Sequence, residues 1–298
     1  MHLVRFSLPG RGPALGVVPT KSQVVHDLGD AGPGGPLPWL RRLAREGAEG
    51  EQALGLAAAG APGVATLAEL EASAALLCPL EPPEVWAAGV TYLRSRQARD
   101  RESQGEESGS TPYDRVYEAE RPELFFKATG ARVVGPGGPA GLRGDSRWQV
   151  PEPELGLVLD QDGSILGYTL GDDLSARDIE GENVLYLPQA KIYRASCALG
   201  PAILPATLAG KGAHFAITCA VRRRGLLLWS GQASTASMRR SFGELVAHLG
   251  RHNWIPAGTV LLTGTGVVPP DDFSLEPGDE ILITCPMLGT LRNVAASV

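Results

Sequence analysis

The chain has only four cysteines in 298 residues, Cys78, Cys197, Cys219 and Cys285, and no two stand in CxxC spacing. A zinc site or a redox dithiol therefore has no support, and buried free thiols are expected. Histidine is equally scarce, with five residues and no HExxH pair, so any bound metal is expected to take oxygen ligands. Positive charge is not in surplus. A net charge of −6 and a pI of about 5.5 exclude broad electrostatic capture of nucleic acid or an anionic membrane. No stretch reaches the roughly 18 apolar residues of a spanning helix. The opening MHLVRFSLPG lacks the apolar core of a signal peptide. A cytoplasmic protein is the expectation.

What is present is ordinary in bulk: 43% hydrophobic and 20% charged residues, the balance of a soluble globular protein. The length suits one large domain, or a large one plus a small one. Residues 1–80 are rich in Ala, Gly, Leu and Pro. They carry an amphipathic helix beginning near Pro38 and a second helix capped by Thr66, with Glu69 in capping-box spacing. Pro79, Pro82 and Pro83 then break the chain, which sets the end of a small N-terminal domain before a catalytic domain over 81–298. A charged segment at about 92–120 reads either as a solvated excursion or as a mobile lid.

From residue 123 strand patterns dominate: ELFFKA, ARVVGP, ELGLVLD, SILGYTL, HFAITCAVRR, LLLWSG, TVLLTGTG and DEILITCP. One helix, SFGELVAHLGRH, interrupts them with Ser241 as its cap. Strands joined by Gly/Pro turns, without βαβ alternation or a repeat, make this an α+β, mainly β chain. His214, His248 and His252 sit on ordinary strand and helix patterns and receive no role.

The segment WQVPEPELGLVLD sets Glu152 and Glu154 one residue apart at the mouth of an apolar run. In a strand such residues project to one face, where two carboxylates repel unless a cation neutralises them. The chain turns through Asp160-Gln161-Asp162-Gly163 and returns as SILGYTL. Folding it symmetrically about that turn puts Glu152 opposite Gly171, with Asp173 just past it. Three carboxylates at one hairpin end suit a hard divalent cation. A strand edge guarded by Pro and Glu is the competing reading.

The stretch GYTLGDDLSARDIEGENVLYLPQAKIYRASCALGP, with EPELGLVLD before it and LLTGTG after it, resembles the fumarylacetoacetate hydrolase family. The resemblance covers roughly residues 80–298. It implies a mixed β-sandwich roll, a homodimer or homotetramer, and a Mg2+ site on Glu152, Glu154 and Asp173, with Mn2+ or Ca2+ as substitutes. It also implies a substrate role for Lys191 and for Thr265 in the Thr-Gly-Thr loop. Arg177 and Asp178 read as an ion pair supporting the metal loop. The hydrolytic branches of the family carry Asn-Tyr-x-x-His in the lid. Here Tyr92 is followed by Leu93, Arg94 and Ser95, without that histidine, which favours a dehydratase.

The resulting expectation is Mg2+-dependent dehydration of a 2-keto-3-deoxy sugar acid, such as 2-keto-3-deoxy-D-arabinonate going to 2,5-dioxopentanoate. The keto acid chelates the cation through its carboxylate and C2 carbonyl, which acidifies C3. Lys191 serves either as the base at C3 or as a fixed positive charge, and Glu123 either as the acid or base for the leaving hydroxyl or as a salt-bridged strand start. Ser95 and Arg96 either reach the substrate hydroxyls when the lid closes or stay solvated on the surface loop. The rivals are an acylpyruvate hydrolase or oxaloacetate decarboxylase of the same family, and a non-catalytic 2-keto-acid-binding protein.

Overall fold

The structure, a computed structural model, describes residues 1–32, 34–93 and 112–298. It is built on two large sheets and a two-stranded ribbon of Gln149–Val150 with Ser175–Ala176. The larger runs, in spatial order, through Gly63–Thr66, Val24–Asp30, Pro13–Val18, His2–Ser7, Cys197–Pro205, Ile165–Asp173, Pro153–Leu159, Val260–Leu262, Glu84–Gly89 and Glu123–Thr129. The strands of the first 80 residues extend this sheet through the antiparallel contact of Leu3 with Ile203. The smaller sheet runs Leu226–Ser234, Ala216–Arg223, Glu280–Cys285, Gly289–Ser297 and Pro139–Leu142. This is the expected mainly β, α+β sandwich.

The central strand Pro153–Leu159 is buried along its whole length, because both of its faces are covered. Leu155, Leu157 and Leu159 pack with Cys219, Val221, Ile281 and Ile283 of the smaller sheet. Val158 faces the other way, into a cluster with Leu40 and Leu43 of helix Leu37–Glu46 and Leu54 of helix Ala48–Gly60. A strand buried on both sides has no polar face to alternate, hence the near-continuous run LGLVL. Thr66 and Glu69 form the expected capping box, and Ser241 accepts the Glu244 amide at the start of Phe242–Leu249. All four cysteines are free thiols.

The hairpin register differs from the symmetric folding. Glu154, not Glu152, stands opposite Gly171, and the pairing shifts between Val158 and Leu159. The turn closes with the Asp160 amide on the Ser164 carbonyl at 2.9 Å and Leu159 opposite Ile165, one residue past the symmetric partner, and a β-bulge adds a second residue; symmetric folding foresees neither. Glu152 lies just before the strand, and its carbonyl accepts the Asp173 amide at 3.0 Å. The shift brings Asp173 level with Glu152 and places the acidic residues in one row.

Candidate active site

Five neighbouring strands of the large sheet end on the same side, and their ends supply the site. Glu154 lies beside Gly171, and its Oε2 accepts the Gly264 amide at 2.6 Å. Val260–Leu262 runs parallel to Glu84–Gly89, which pairs Gly89 with Glu123 on the next strand. Asp173, Glu154, Gly264, Gly89 and Glu123 are therefore brought to one edge by register alone. Glu152, Glu154 and Asp173 present carboxylate oxygens within 4.8 Å of one another, and all three are buried.

Each carboxylate has its own support. Arg177 Nη2 reaches Glu152 Oε1 at 3.0 Å, and Lys191 Nζ reaches Glu152 Oε2 at 2.7 Å. Lys191 also donates to Asp173 Oδ2 at 3.0 Å. Lys127, fully buried, lies 2.6 Å from Asp173 Oδ1 and donates to the carbonyls of Leu174 at 2.8 Å and Lys191 at 2.6 Å. It thus ties the third carboxylate to the backbone of the lysine segment. Asp172 turns away from the row and accepts the Glu152 amide at 2.8 Å. Its carboxyl is pushed up to about 7, chiefly by burial.

The Thr-Gly-Thr loop acts through its backbone. Gly264 has a φ of +92°, and a Cβ there would sit 2.0 Å from Thr91 Oγ1 and 2.9 Å from the Ala88 carbonyl. Only glycine fits this close approach in a left-handed conformation. The anion that its amide meets is the Glu154 side chain. Thr265 lines the same pocket, while its Oγ1 exchanges hydrogen bonds with the Val267 backbone. The Glu123 carboxylate lies across Gly89, where a Cβ would come within 2.0 Å of Oε2.

Glu123, Glu152, Glu154, Asp173, Glu180, Arg177, Lys191, Thr265 and Phe125 line one pocket with Ala88, Gly89 and Val90. Of the sequence-derived site residues, Glu152, Glu154, Asp173, Lys191, Glu123 and Thr265 meet there, whereas Ser95 and Arg96 lie outside the described residues. Arg177, assigned to Asp178 from sequence, reaches Glu152. The Asp178 carboxylate takes the Ser146 hydroxyl at 2.5 Å and the Arg147 amide at 2.7 Å. Lys127, Phe125 and Glu180 were not singled out. Glu123, Phe125 and Lys127 share one face of their strand by the two-residue period, which is the signal that would have found two of them. Glu180, on the short helix Arg177–Glu182, accepts the Ser175 hydroxyl at 2.9 Å.

The donor set fits a divalent cation. Five carboxylates line the pocket against two cationic side chains, with Lys127 behind them. The Glu154 carboxyl is held well above the usual carboxylate range by burial first, then by the charges of Asp173 and Glu152. Three oxygen ligands that strain against ionising together are what a hard cation neutralises.

A model of the fumarylacetoacetate (FAA) hydrolase C-terminal family matches residues 85–296. The chain belongs to that family. Its curated relatives include the probable 2-keto-3-deoxyxylonate dehydratase of Haloferax volcanii, 47% identical over 220 residues, or 74% of each chain. Another is the 2-dehydro-3-deoxy-D-arabinonate dehydratase of Saccharolobus solfataricus, 46% identical over 213 residues, or 72% of each chain. Among solved structures it is similar to a 2-keto-3-deoxy-D-arabinonate dehydratase complexed with magnesium and 2,5-dioxopentanoate. That match has a TM-score of 0.84 and 35% identity, and covers 100% of this chain and 99% of the other.

Proposed function

We propose that the protein is a Mg2+-dependent hydro-lyase that dehydrates 2-keto-3-deoxy sugar acids, with 2-keto-3-deoxy-D-arabinonate giving 2,5-dioxopentanoate as the pattern. The observation that carries this reading is the buried row of Glu152, Glu154 and Asp173, within 4.8 Å, with the Lys191 ammonium against it. The likeness to sugar-acid dehydratases, over 74% and 72% of the chain in sequence and 100% in structure, supports the choice of reaction.

Glu152, Glu154 and Asp173 would hold the ion. A divalent cation there would supply Lewis acidity, acidifying the C3 hydrogens of a 2-keto acid. Lys191 is the proton carrier at C3. Its Nζ lies 2.7 Å from Glu152 Oε2 and 3.0 Å from Asp173 Oδ2, within reach of an acid held over those carboxylates. Glu123 protonates the leaving C4 hydroxyl from the opposite wall of the pocket. Thr265 contacts the bound acid, and Arg177 fixes Glu152. In the net reaction C4 loses its hydroxyl and gains a hydrogen, while the C5 alcohol becomes an aldehyde. Oxidation at C5 balances reduction at C4, so no redox cofactor is required.

The reading extends to a cytoplasmic homodimer or homotetramer. No described helix is long and apolar enough to cross a membrane. The edge strand Leu226–Ser234 exposes Leu226, Leu227 and Leu228 by 72%, 59% and 45%, a surface that a second copy would cover. Light scattering measures the assembly. For the site, Glu154→Gln is the direct test: Mg2+ binding and turnover should vanish together while the circular dichroism spectrum is unchanged. Turnover retained in that variant would remove Glu154 from the metal site.

A further inference from the structure

The strand start that carries Glu123 borders a second cleft, outside the catalytic pocket. Its lining includes Trp86, Arg121, Leu124, His248, Leu249 and Arg251. Arg121 immediately precedes Pro122-Glu123. His248 ends helix Phe242–Leu249, and Arg251 follows in the turn, its amide 3.4 Å from the His248 carbonyl.

These basic groups lack acceptors. Among the described residues, neither the Arg121 nor the Arg251 guanidinium makes a hydrogen bond or an ion pair. His248 Nδ1 is shielded from solvent and has no partner either. The imidazole is held below its ordinary value by burial and by the charges of Arg251 and Arg121, against the opposing pull of Glu244. The nearby Arg240 shows the contrast. It is fully engaged, with Glu244 Oε1 at 2.5 Å and the carbonyls of Val116, Ala119 and Glu120. Glu244 is therefore already committed to Arg240, and the Glu84 carboxylate beside the cleft accepts the Trp86 indole N–H at 3.0 Å.

Two exposed arginines line one cleft, and their like charges repel until an anion enters. Arginine pairs bidentately with carboxylate or phosphate oxygens, and the bond is charge-assisted. Trp86, Leu124 and Leu249 offer an apolar wall for a short carbon chain beside the charged end. We propose that this cleft is a second binding site, for a small oxyanion held between Arg121 and Arg251, separate from the site of dehydration.

Calorimetry on the full-length protein with Mg2+, titrated with glutarate and separately with inorganic phosphate, tests this. Glutarate lacks the 2-keto group, so it is a poor ligand for the catalytic pocket. Binding of at least one anion is expected. It should weaken about tenfold in Arg121→Ala and in Arg251→Ala, the loss of one charge-assisted contact, and it should fall with added salt. It should be unchanged in Lys191→Met. Tighter glutarate binding assigns the site to carboxylates, and tighter phosphate binding to phosphates. Arg251→Ala should retain turnover, which reports an intact fold. The proposal is overturned if neither anion binds at millimolar concentration, if both arginine variants bind as tightly as the parent, or if Lys191→Met abolishes the heat.

Discussion

Lys127→Met keeps the length of the buried side chain but removes an ammonium with three oxygen partners, at 2.8 Å (Leu174 carbonyl), 2.6 Å (Lys191 carbonyl) and 2.6 Å (Asp173 Oδ1). The side chain is 0% exposed, so water cannot take its place. Removing one member of a buried ion pair costs about 3–5 kcal/mol. Each orphaned carbonyl adds a desolvation cost of about 1–3 kcal/mol, though such terms are not additive. The expected loss is therefore close to 5 kcal/mol, a third or more of the stability of a typical domain, about 5–15 kcal/mol. At roughly 2–4 °C per kcal/mol, the midpoint of thermal unfolding should drop by about 10 °C or more. Urea unfolding of the metal-free protein measures it, with Lys211→Met at an exposed position as the control, expected within about 0.5 kcal/mol of the parent. A loss below about 1 kcal/mol for Lys127→Met would refute the counter-charge role and the reasoning built on it.

Gly264→Ala meets both a positive φ and a contact of 2.0 Å to Thr91 Oγ1. It should cost more than the roughly 1–2 kcal/mol of a left-handed residue alone and, by moving the amide that holds Glu154, weaken Mg2+ binding; calorimetry and urea unfolding read the two effects. Binding of Mg2+ should release protons, because the Glu154 carboxyl is pushed well above its usual range by burial and by Asp173 and Glu152 and must ionise to serve as a ligand. Affinity therefore falls as pH is lowered, and calorimetry in buffers of different ionisation enthalpy counts the protons; an affinity that holds constant as pH is lowered would contradict a raised Glu154 carboxyl.

The acidic row was legible in the sequence because its spacing encodes its geometry, whereas Lys191 and Thr265 were legible only through the family resemblance. Glu152 and Glu154 are two apart on an extended chain, and Asp173 returns through a turn signalled by Asp160-Gln161-Asp162-Gly163. The register is displaced by two residues, one from the turn that sets Leu159 opposite Ile165 and one from the bulge between Val158 and Leu159, and neither leaves a compositional mark. Arg177 was paired with its sequence neighbour, while the fold carries it to Glu152, a contact between segments 25 residues apart. Lys127 was hidden in ELFFKAT, which reads as an ordinary strand, and only the position of its face relative to Asp173 gives it a partner. Strands His2–Ser7, Pro13–Val18 and Val24–Asp30 were not singled out, since they are short and lie in a stretch rich in Gly and Pro. Their place in the large sheet comes from tertiary pairing, not from local propensity.

The central claim is that the row of Glu152, Glu154 and Asp173 serves a dehydration. Its most direct measurement is a semialdehyde-dehydrogenase-coupled assay on 2-keto-3-deoxy-D-arabinonate, run on chelator-stripped protein before and after adding Mg2+. Reduced nicotinamide should form only after Mg2+ is restored, one equivalent for each sugar acid consumed. No turnover with Mg2+ or Mn2+ present, or turnover indifferent to the chelator, would contradict the account.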